Sequence, residues 1–280
     1  MFRFRAQKTD RRMTPALEHS PEDMTATASA GMTLTGLQTE LAKGGQWLPI
    51  DPPSPETLSL ADLLAHNRNG PRRFGYGTIR DYVIGLKVQL VDGRVVKTGG
   101  KVVKNVAGYD LQKLFIAAAH ELGSIVEATF KLRPRPETEQ FAQRHCPSLV
   151  EASAMIDTIL DSPLNPTVLD LYSGTIVLGF DGSGDEVEWQ LAKAHELGFV
   201  ERGNLDYEKA FWQTNPETIR KISVLPSRLI ETIQKQRGAN YVARAGNGIL
   251  YYHGAAQPSA DNRPTFLLQR VKQIFSSMPQ

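Results

Sequence analysis

The strongest constraint on the fold is a strict alternation of apolar and other residues in the middle of the chain. Every second residue from Ile84 to Leu90 is apolar, and the residues between them are small or polar. Asp92-Gly93 follows, a dipeptide typical of a two-residue hairpin turn, and the apolar pattern resumes at Val95. Because alternation buries one face of a strand, this pattern predicts a half-buried hairpin in an antiparallel sheet.

The region before this hairpin contains one clear helical signal. Residues 1–23 are polar and show no clear period, so we expect a loosely ordered leader or an incomplete first element there. Leu34, Leu37 and Leu41 then recur at helical spacing before Gly44. This spacing predicts an amphipathic helix that ends near the glycine.

A second helix and a strand are predicted after the hairpin. Asp110 is placed to cap a helix whose apolar stripe continues to Leu122. From Val126 to Leu132 apolar residues alternate again, and Pro134 ends the pattern. The loop before Asp110 is therefore expected to lie between a hairpin and the amino end of a helix.

The pattern restarts beyond residue 136, which predicts a second domain. Apolar runs from Val168 to Leu171 and from Thr175 to Phe180 flank a Tyr-Ser-Gly turn. Further predicted elements are a helix with Val187, Leu191 and Ala194, a strand at Ile222 to Leu225, and a terminal helix with Leu267, Val271, Ile274 and Phe275. We therefore expect an α+β protein with mainly antiparallel sheets, divided into residues 24–136 and a cap domain at 137–280.

Charge and cysteine content exclude several kinds of site. The formal net charge is only +2, and one short basic cluster, Arg3 to Arg12, stands out, so we expect no nucleic-acid partner. Cys146 is the single cysteine, which excludes an internal disulfide and a clustered-thiolate metal site. No apolar run approaches the roughly 20 residues of a membrane-spanning helix. A cytoplasmic protein that meets a membrane only through partners is expected.

The residues from Thr98 to Phe115 carry a composition suited to a ligand loop. They read TGGKVVKNVAGYDLQKLF. Glycines allow backbone to approach a ligand closely, and Lys101 and Lys104 add positive charge before a predicted helix amino end. A phosphate-bearing ligand suits these features. A tight turn with two solvated lysines explains the composition equally well.

Several segments of the chain are specific to one protein family. The run from Arg72 to Phe115 is RRFGYGTIRDYVIGLKVQLVDGRVVKTGGKVVKNVAGYDLQKLF, and it contains the distinctive KNVAGYDL. Related segments are QWLPIDPP at 46–53, SIVEATFKLRPRP at 124–136 and ISVLPS at 222–227. Together they strongly resemble the vanillyl-alcohol-oxidase, or PCMH-type, flavin domain, and within it the accessory FAD-binding subunits of bacterial glycolate oxidase.

This resemblance implies a non-covalent FAD in a cleft between two α+β subdomains, under a carboxyl-terminal cap. It implies hydride transfer from a small 2-hydroxy acid to flavin, in a complex with a larger flavin subunit and an iron–sulfur subunit. By position, it assigns FAD contacts to Gly77, Thr78, Arg80, Asp81, Lys104, Asn105, Gly108, Tyr109, Asp110 and the backbone of Ile125. No catalytic side chain is assigned.

The sequence departs from the family pattern where backbone should face the pyrophosphate. A P-x-G-x-G-T loop is implied before the point where this chain begins, so we expect an amino-terminal truncation. An A-T-I-G-G segment is replaced at 56–63 by ETLSLADL, and a G-S-x-G-T-L-G run is replaced by AAAHELG, with Ala117 and His120 at glycine positions. Added side chains oppose close approach of a ligand. A flavin-free structural or assembly subunit is therefore the alternative hypothesis.

Other polar residues have ordinary structural interpretations beside functional ones. The adjacent pair His145 and Cys146 lacks the spacing of a tetrahedral metal site. His253 is interpreted as a half-exposed strand residue or as a cap residue facing substrate. Arg72 and Arg73 fit an anion contact or a surface pair equally well.

Overall fold

The computed structural model describes residues 17–100, 110–201, 204–236, 238–255 and 273. The first unit contains β1 (Leu17–Ser20), β2 (Thr25–Ser29), α1 (Leu34–Ala42), β3 (Gln46–Trp47), α2 (Leu60–Ala65), α3 (Arg73–Tyr76), α4 (Ile79–Tyr82), β4 (Val83–Gln89), β5 (Val95–Gly99), α5 (Gln112–Phe115), β6 (Ser124–Lys131) and β7 (Arg133–Pro134). The predicted strands and the first helix are present, and β1 lies within the segment 1–23.

The first unit is built on an antiparallel sheet with strand order β1-β2-β6-β4-β5 among the described residues. The predicted hairpin forms β4 and β5, with Val88 opposite Val96. Leu37 and Leu41 of α1 and Leu63 of α2 are fully buried against this sheet in one apolar core. Burial of these stripes is what holds the two helices on the sheet.

The second unit contains β8 (Thr138–His145), α6 (Leu149–Leu160), β9 (Val168–Tyr172), β10 (Thr175–Gly182), α7 (Gly184–Glu196), β11 (Val200–Glu201), α8 (Asp206–Gln213), β12 (Ile219–Ser223), α9 (Leu229–Lys235), β13 (Tyr241–Arg244) and β14 (Ile249–His253). The strand order is β11-β8-β10-β9-β13-β14-β12, and all pairs are antiparallel. The α+β class with mainly antiparallel sheets is confirmed.

A short segment around α3 connects the two units. Gly75 donates its backbone N–H to the carbonyl of Thr167 at 3.0 Å. The side chain of Phe74 packs against the core of the second unit, beside Gly246. A Cβ atom on Gly75 would lie 2.7 Å from the Cα atom of Thr167, so only glycine permits this close approach.

The helix predicted from Asp110 to Leu122 is wrong in its length. Helix α5 ends at Phe115 because Ala117, Ala119 and His120 adopt positive φ. The freed N–H groups of the two alanines bond instead to α2 carbonyls, at 3.0 Å and 2.8 Å. The N-cap residue of α5 is Leu111, which makes no side-chain capping bond, whereas the carboxylate of Asp110 accepts from the side chains of Gln112 and Lys113. Tertiary bonds to α2 therefore replace the helical bonds that the apolar stripe predicts.

Two other sequence expectations concern the second unit. The strand predicted at Ile222 to Leu225 is β12, which begins and ends earlier, at Ile219 and Ser223. The predicted terminal helix, including Leu267, lies outside the described residues.

Candidate functional site

A glycine-led turn holds three of the predicted site residues together. Gly77 has φ +80°, and Thr78 begins α4 with a capping box. The backbone N–H and hydroxyl of Thr78 both donate to the Asp81 carboxylate, at 2.8 Å and 2.9 Å. A side chain at Gly77 would meet that carboxylate. The turn is thus fixed by its own hydrogen bonds, and Asp81 orients it.

Arg80 and Asp110 come near each other from distant parts of the sequence. Arg80 is exposed on the Gly77–Asp81 turn. Asp110 accepts from Lys113 at 2.5 Å, and this bond is the largest cause lowering the pKa of Asp110, with a smaller effect of the Arg80 charge. The charge of exposed Arg80 thus acts on Asp110, one residue of the predicted ligand loop. Lys104, Asn105, Gly108 and Tyr109 lie outside the described residues.

Ile125 lies in β6, beside the hairpin. Its Cα pairs with Val88, and its side chain is buried in the first core. The side chain therefore has a packing role, whereas the predicted flavin contact concerns its backbone.

The loop after α5 keeps a backbone typical of glycine while carrying side chains. Ala117, Ala119 and His120 have φ of +67°, +47° and +63°, and Gly123 has +146°. A left-handed conformation costs an L-residue roughly 1 to 2 kcal/mol. Ala117 and His120 occupy glycine positions of the family pattern, and both have the positive φ that glycine adopts most readily.

This loop brings His120 against α2, in a cluster that sequence reasoning missed. The Nε2 atom of His120 lies 3.3 Å from Oδ1 of Asp62, and the rings of His66 and His120 are 5.9 Å apart. The hydroxyl of Ser59 donates to the other Asp62 oxygen at 2.7 Å and is the main cause lowering the pKa of that carboxyl, which His120 lowers further. The i, i+4 spacing of Asp62 and His66 was the available sequence signal.

Arg72 connects the two units instead of facing an anion. Its guanidinium donates to Asp51 at 2.8 Å and to Glu139 of β8 at 2.9 Å and 2.5 Å. Burial raises the pKa of Asp51, against the opposing effect of Arg72. The interpretation of Arg72 as half of a surface pair is also excluded, because 14% of its side chain is exposed.

A buried charge cluster lies in the second unit, and sequence reasoning missed it too. Arg244 is 2% exposed and donates to Asp170 and, at 2.5 Å, to Glu208. The hydroxyl of Tyr207 donates to Asp170 at 2.6 Å, and the Tyr207 ring stacks on Tyr172. Burial is the largest cause that raises the pKa of Asp170, to about 7. The three charged residues lie on β9, α8 and β13, so no local sequence motif predicts that they meet.

The remaining histidine candidates have structural partners. Nδ1 of His253 lies 2.7 Å from the hydroxyl of Thr218, and its ring packs on Phe211. Nδ1 of His145 lies 3.4 Å from the hydroxyl of Thr175. The neighbouring Cys146 is buried, and this burial raises the pKa of its thiol. Of the two interpretations of His253, these contacts favour the strand residue.

Comparison with known proteins identifies sequences similar to this chain. Residues 8–99 match the family described as FAD binding domain. Glycolate oxidase subunit GlcD of Bacillus subtilis is 34% identical over 59% of this chain and 35% of its own length. Glycolate oxidase subunit GlcE of Escherichia coli is 30% identical over 76% of this chain and 59% of its own. The chain thus spans about a third to three fifths of these relatives.

A solved structure gives the same fold. An alkyldihydroxyacetonephosphate synthase superimposes with a TM-score of 0.71 at 18% identity, covering 95% of this chain and 64% of that one. At this identity the likeness concerns the fold alone. Among the helices of the described residues, none combines the length and apolar character needed to cross a bilayer.

The family match supports FAD as the cofactor, and the described residues fit one wall of such a site. The Gly77–Asp81 turn is preorganised, and Arg80 offers a positive charge to a phosphate or carboxylate. The loop at 117–123 fits less closely, because Cβ atoms and an imidazole replace hydrogens there. The described residues therefore offer one candidate wall, and contacts from the residues around KNVAGYDL stay a prediction.

Proposed function

Because the chain belongs to the PCMH-type FAD-binding family that includes the glycolate oxidase subunits, we propose that it is an FAD-binding subunit of a glycolate oxidase-type complex. The complex oxidises a small 2-hydroxy acid by hydride transfer to flavin. The observation that carries this proposal is the family match over residues 8–99, joined to the ordered Gly77–Asp81 turn and the exposed Arg80.

In this proposal the chain's own residues bind and orient the cofactor. The turn residues Gly77, Thr78 and Asp81 present backbone in a fixed conformation, and Arg80 neutralises negative charge. Lys104, Asn105, Gly108, Tyr109, Asp110 and the backbone of Ile125 supply the further FAD contacts that the family resemblance implies. When bound, FAD supplies the hydride acceptor, which no side chain of a protein provides.

We propose a larger flavin subunit and an iron–sulfur subunit as partners. Two relatives are named as subunits of glycolate oxidase, which supports a multi-subunit complex. The single cysteine of this chain does not supply the thiolates of an iron–sulfur cluster, so a cluster that accepts electrons from the flavin belongs to a partner. We place the complex in the cytoplasm, with any contact to the inner face of the membrane made through its other subunits.

The test is the visible absorption spectrum of the purified full chain, before and after addition of FAD. We expect a stoichiometric flavin signal that glycolate or another 2-hydroxy acid bleaches when the partner subunits are present. Gly108→Val should abolish the signal. Gly184→Val is the matched control, because a Cβ at Gly184 meets open space. A wild-type chain that stays colourless in excess FAD would refute FAD binding.

A second candidate function is a flavin-free assembly subunit. It is favoured by Ala117 and His120, which occupy glycine positions of the family pattern, and by the segment ETLSLADL at 56–63, which replaces a glycine-containing one. On this hypothesis the chain co-purifies with the larger flavin subunit whether or not FAD is present. Recovery of the chain only as a lone monomer from cells that express all subunits would count against it.

A further inference from the structure

The cluster of Asp62, His66 and His120 has the composition and spacing of a metal site. Each residue offers one ligand atom, and these three atoms all lie within 4.8 Å of one another. Around a Zn²⁺ ion bound at roughly 2.0 to 2.1 Å, tetrahedral ligand atoms are about 3.3 Å apart. Small rotations of these partly exposed side chains bring the ligand atoms from their present spacing to the spacing around a bound ion.

Neighbouring hydrogen bonds fix the tautomer of His66 and orient the carboxylate of Asp62. Nδ1 of His66 lies 3.1 Å from the carbonyl oxygen of Asp62, so this nitrogen carries the proton and Nε2 keeps its lone pair. The hydroxyl of Ser59 donates to Oδ2 of Asp62, which turns Oδ1 toward Nε2 of His120. Such outer hydrogen bonds orient metal ligands in known sites.

The backbone holds the two halves of the cluster in place. Asp62 and His66 lie on α2 and at its carboxyl end, where the N–H of His66 bonds to the Asp62 carbonyl at 3.1 Å. The N–H of Ala119 bonds to the carbonyl of Ala65 at 2.8 Å, which ties the loop to the same helix end. The left-handed φ of His120 then directs the chain back over α2. Metal ligands carried by a backbone that hydrogen bonds hold in place are preorganised for binding.

We propose that Asp62, His66 and His120 bind a divalent transition-metal ion of the zinc type. Two imidazoles and one carboxylate suit Zn²⁺, Ni²⁺ or Cu²⁺, whereas Ca²⁺ and Mg²⁺ prefer oxygen ligands. The side chains of Asp62 and His120 are 52% and 34% exposed, so an ion enters from solvent and water fills its remaining positions. The proposal does not depend on flavin binding.

The test is titration of the chelator-stripped full chain with Zn²⁺ against a chromogenic chelator, using protein without a histidine tag. We expect one tight equivalent. His120→Gly removes the imidazole and suits the left-handed backbone, so it should weaken binding at least tenfold without unfolding the chain. Asp62→Asn should weaken it similarly. His195→Ala, an exposed histidine on α7, is the matched control and should leave binding unchanged.

A second readout reports the ligands directly. Co²⁺ in place of Zn²⁺ should give visible d–d absorption that disappears in His120→Gly and persists in His195→Ala. Absence of a saturable Zn²⁺ equivalent would overturn the proposal, and so would equal affinity in wild type and His120→Gly. Flavin absorption of the same samples separates this outcome from that of the proposed function.

Discussion

The guanidinium of Arg72 lies 2.5 Å from the carboxylate of Glu139, and this ion pair joins the first unit to strand β8 of the second. The same guanidinium also holds Asp51, whose side chain is 17% exposed. Arg72 therefore compensates two partly buried carboxylates at the junction, where α3 already brings Gly75 against Thr167.

Replacing Arg72 should destabilise the junction. In Arg72→Met, Asp51 and Glu139 lose their shared cation, and we expect a loss of about 2 to 3 kcal/mol in the free energy of unfolding. Urea denaturation measures it. Asp51→Asn added to Arg72→Met should recover part of the loss, because it removes one uncompensated carboxylate. Arg135→Ala, an exposed arginine, is the control, and an equal effect in both single variants would contradict this role.

The buried Asp170 should make stability depend on pH. Its pKa is raised from 3.8 to about 7, chiefly by burial, so the folded state binds a proton more strongly than the unfolded state. The stabilisation that comes from this raised pKa is fully present below about pH 4. It is lost as pH rises through about 7, and the free energy of unfolding then falls with a slope approaching 1.4 kcal/mol per pH unit.

Asp170→Asn should remove this slope. The measurement is the unfolding free energy of wild type and variant from pH 4 to 8, and the predicted quantity is their difference. Asp157→Asn, an exposed residue on α6, controls for a general charge effect. A wild-type curve parallel to that of Asp170→Asn would show that the buried carboxyl keeps an ordinary pKa.

The loop after α5 should gain stability from glycine. Ala117 is exposed and has φ +67°, so Ala117→Gly relieves left-handed strain and should raise the unfolding free energy by about 1 kcal/mol. The same substitution at exposed Ala154, within α6, should lower it by about 1 kcal/mol. Thermal unfolding of both variants checks the prediction, which fails if the two changes have the same sign.

The close contact between Gly75 of α3 and Thr167 should leave no room for a methyl group at position 75. In Gly75→Ala the new Cβ would lie 2.7 Å from the Cα of Thr167, and we expect a loss of about 1 to 3 kcal/mol. Gly184→Ala, whose Cβ meets open space, should leave the melting temperature nearly unchanged. Differential scanning calorimetry distinguishes them, and a neutral Gly75→Ala would show that the two units separate easily at this contact.

Local patterns predicted much of the fold. The alternation at 84–90 with Asp92-Gly93 became β4 and β5, and the spacing of three leucines became α1. The strands around Tyr172 became β9 and β10. These predictions succeeded because one periodic face must be buried, and a turn dipeptide sets where the chain reverses. The Gly77–Asp81 turn is also local, since its bonds span three residues, but the sequence analysis did not predict it.

Tertiary structure alone decided the clusters and the end of α5. Asp62 and His120 are 58 residues apart, and Asp170 and Arg244 are 74 apart, so no window of sequence contains either pair. The apolar stripe after Asp110 favoured a longer helix, but hydrogen bonds to α2 stabilised a left-handed loop instead. The sequence by itself determined which segments have a buried face. Packing decided which side chains meet, because that depends on how separate elements satisfy each other's hydrogen bonds and charges.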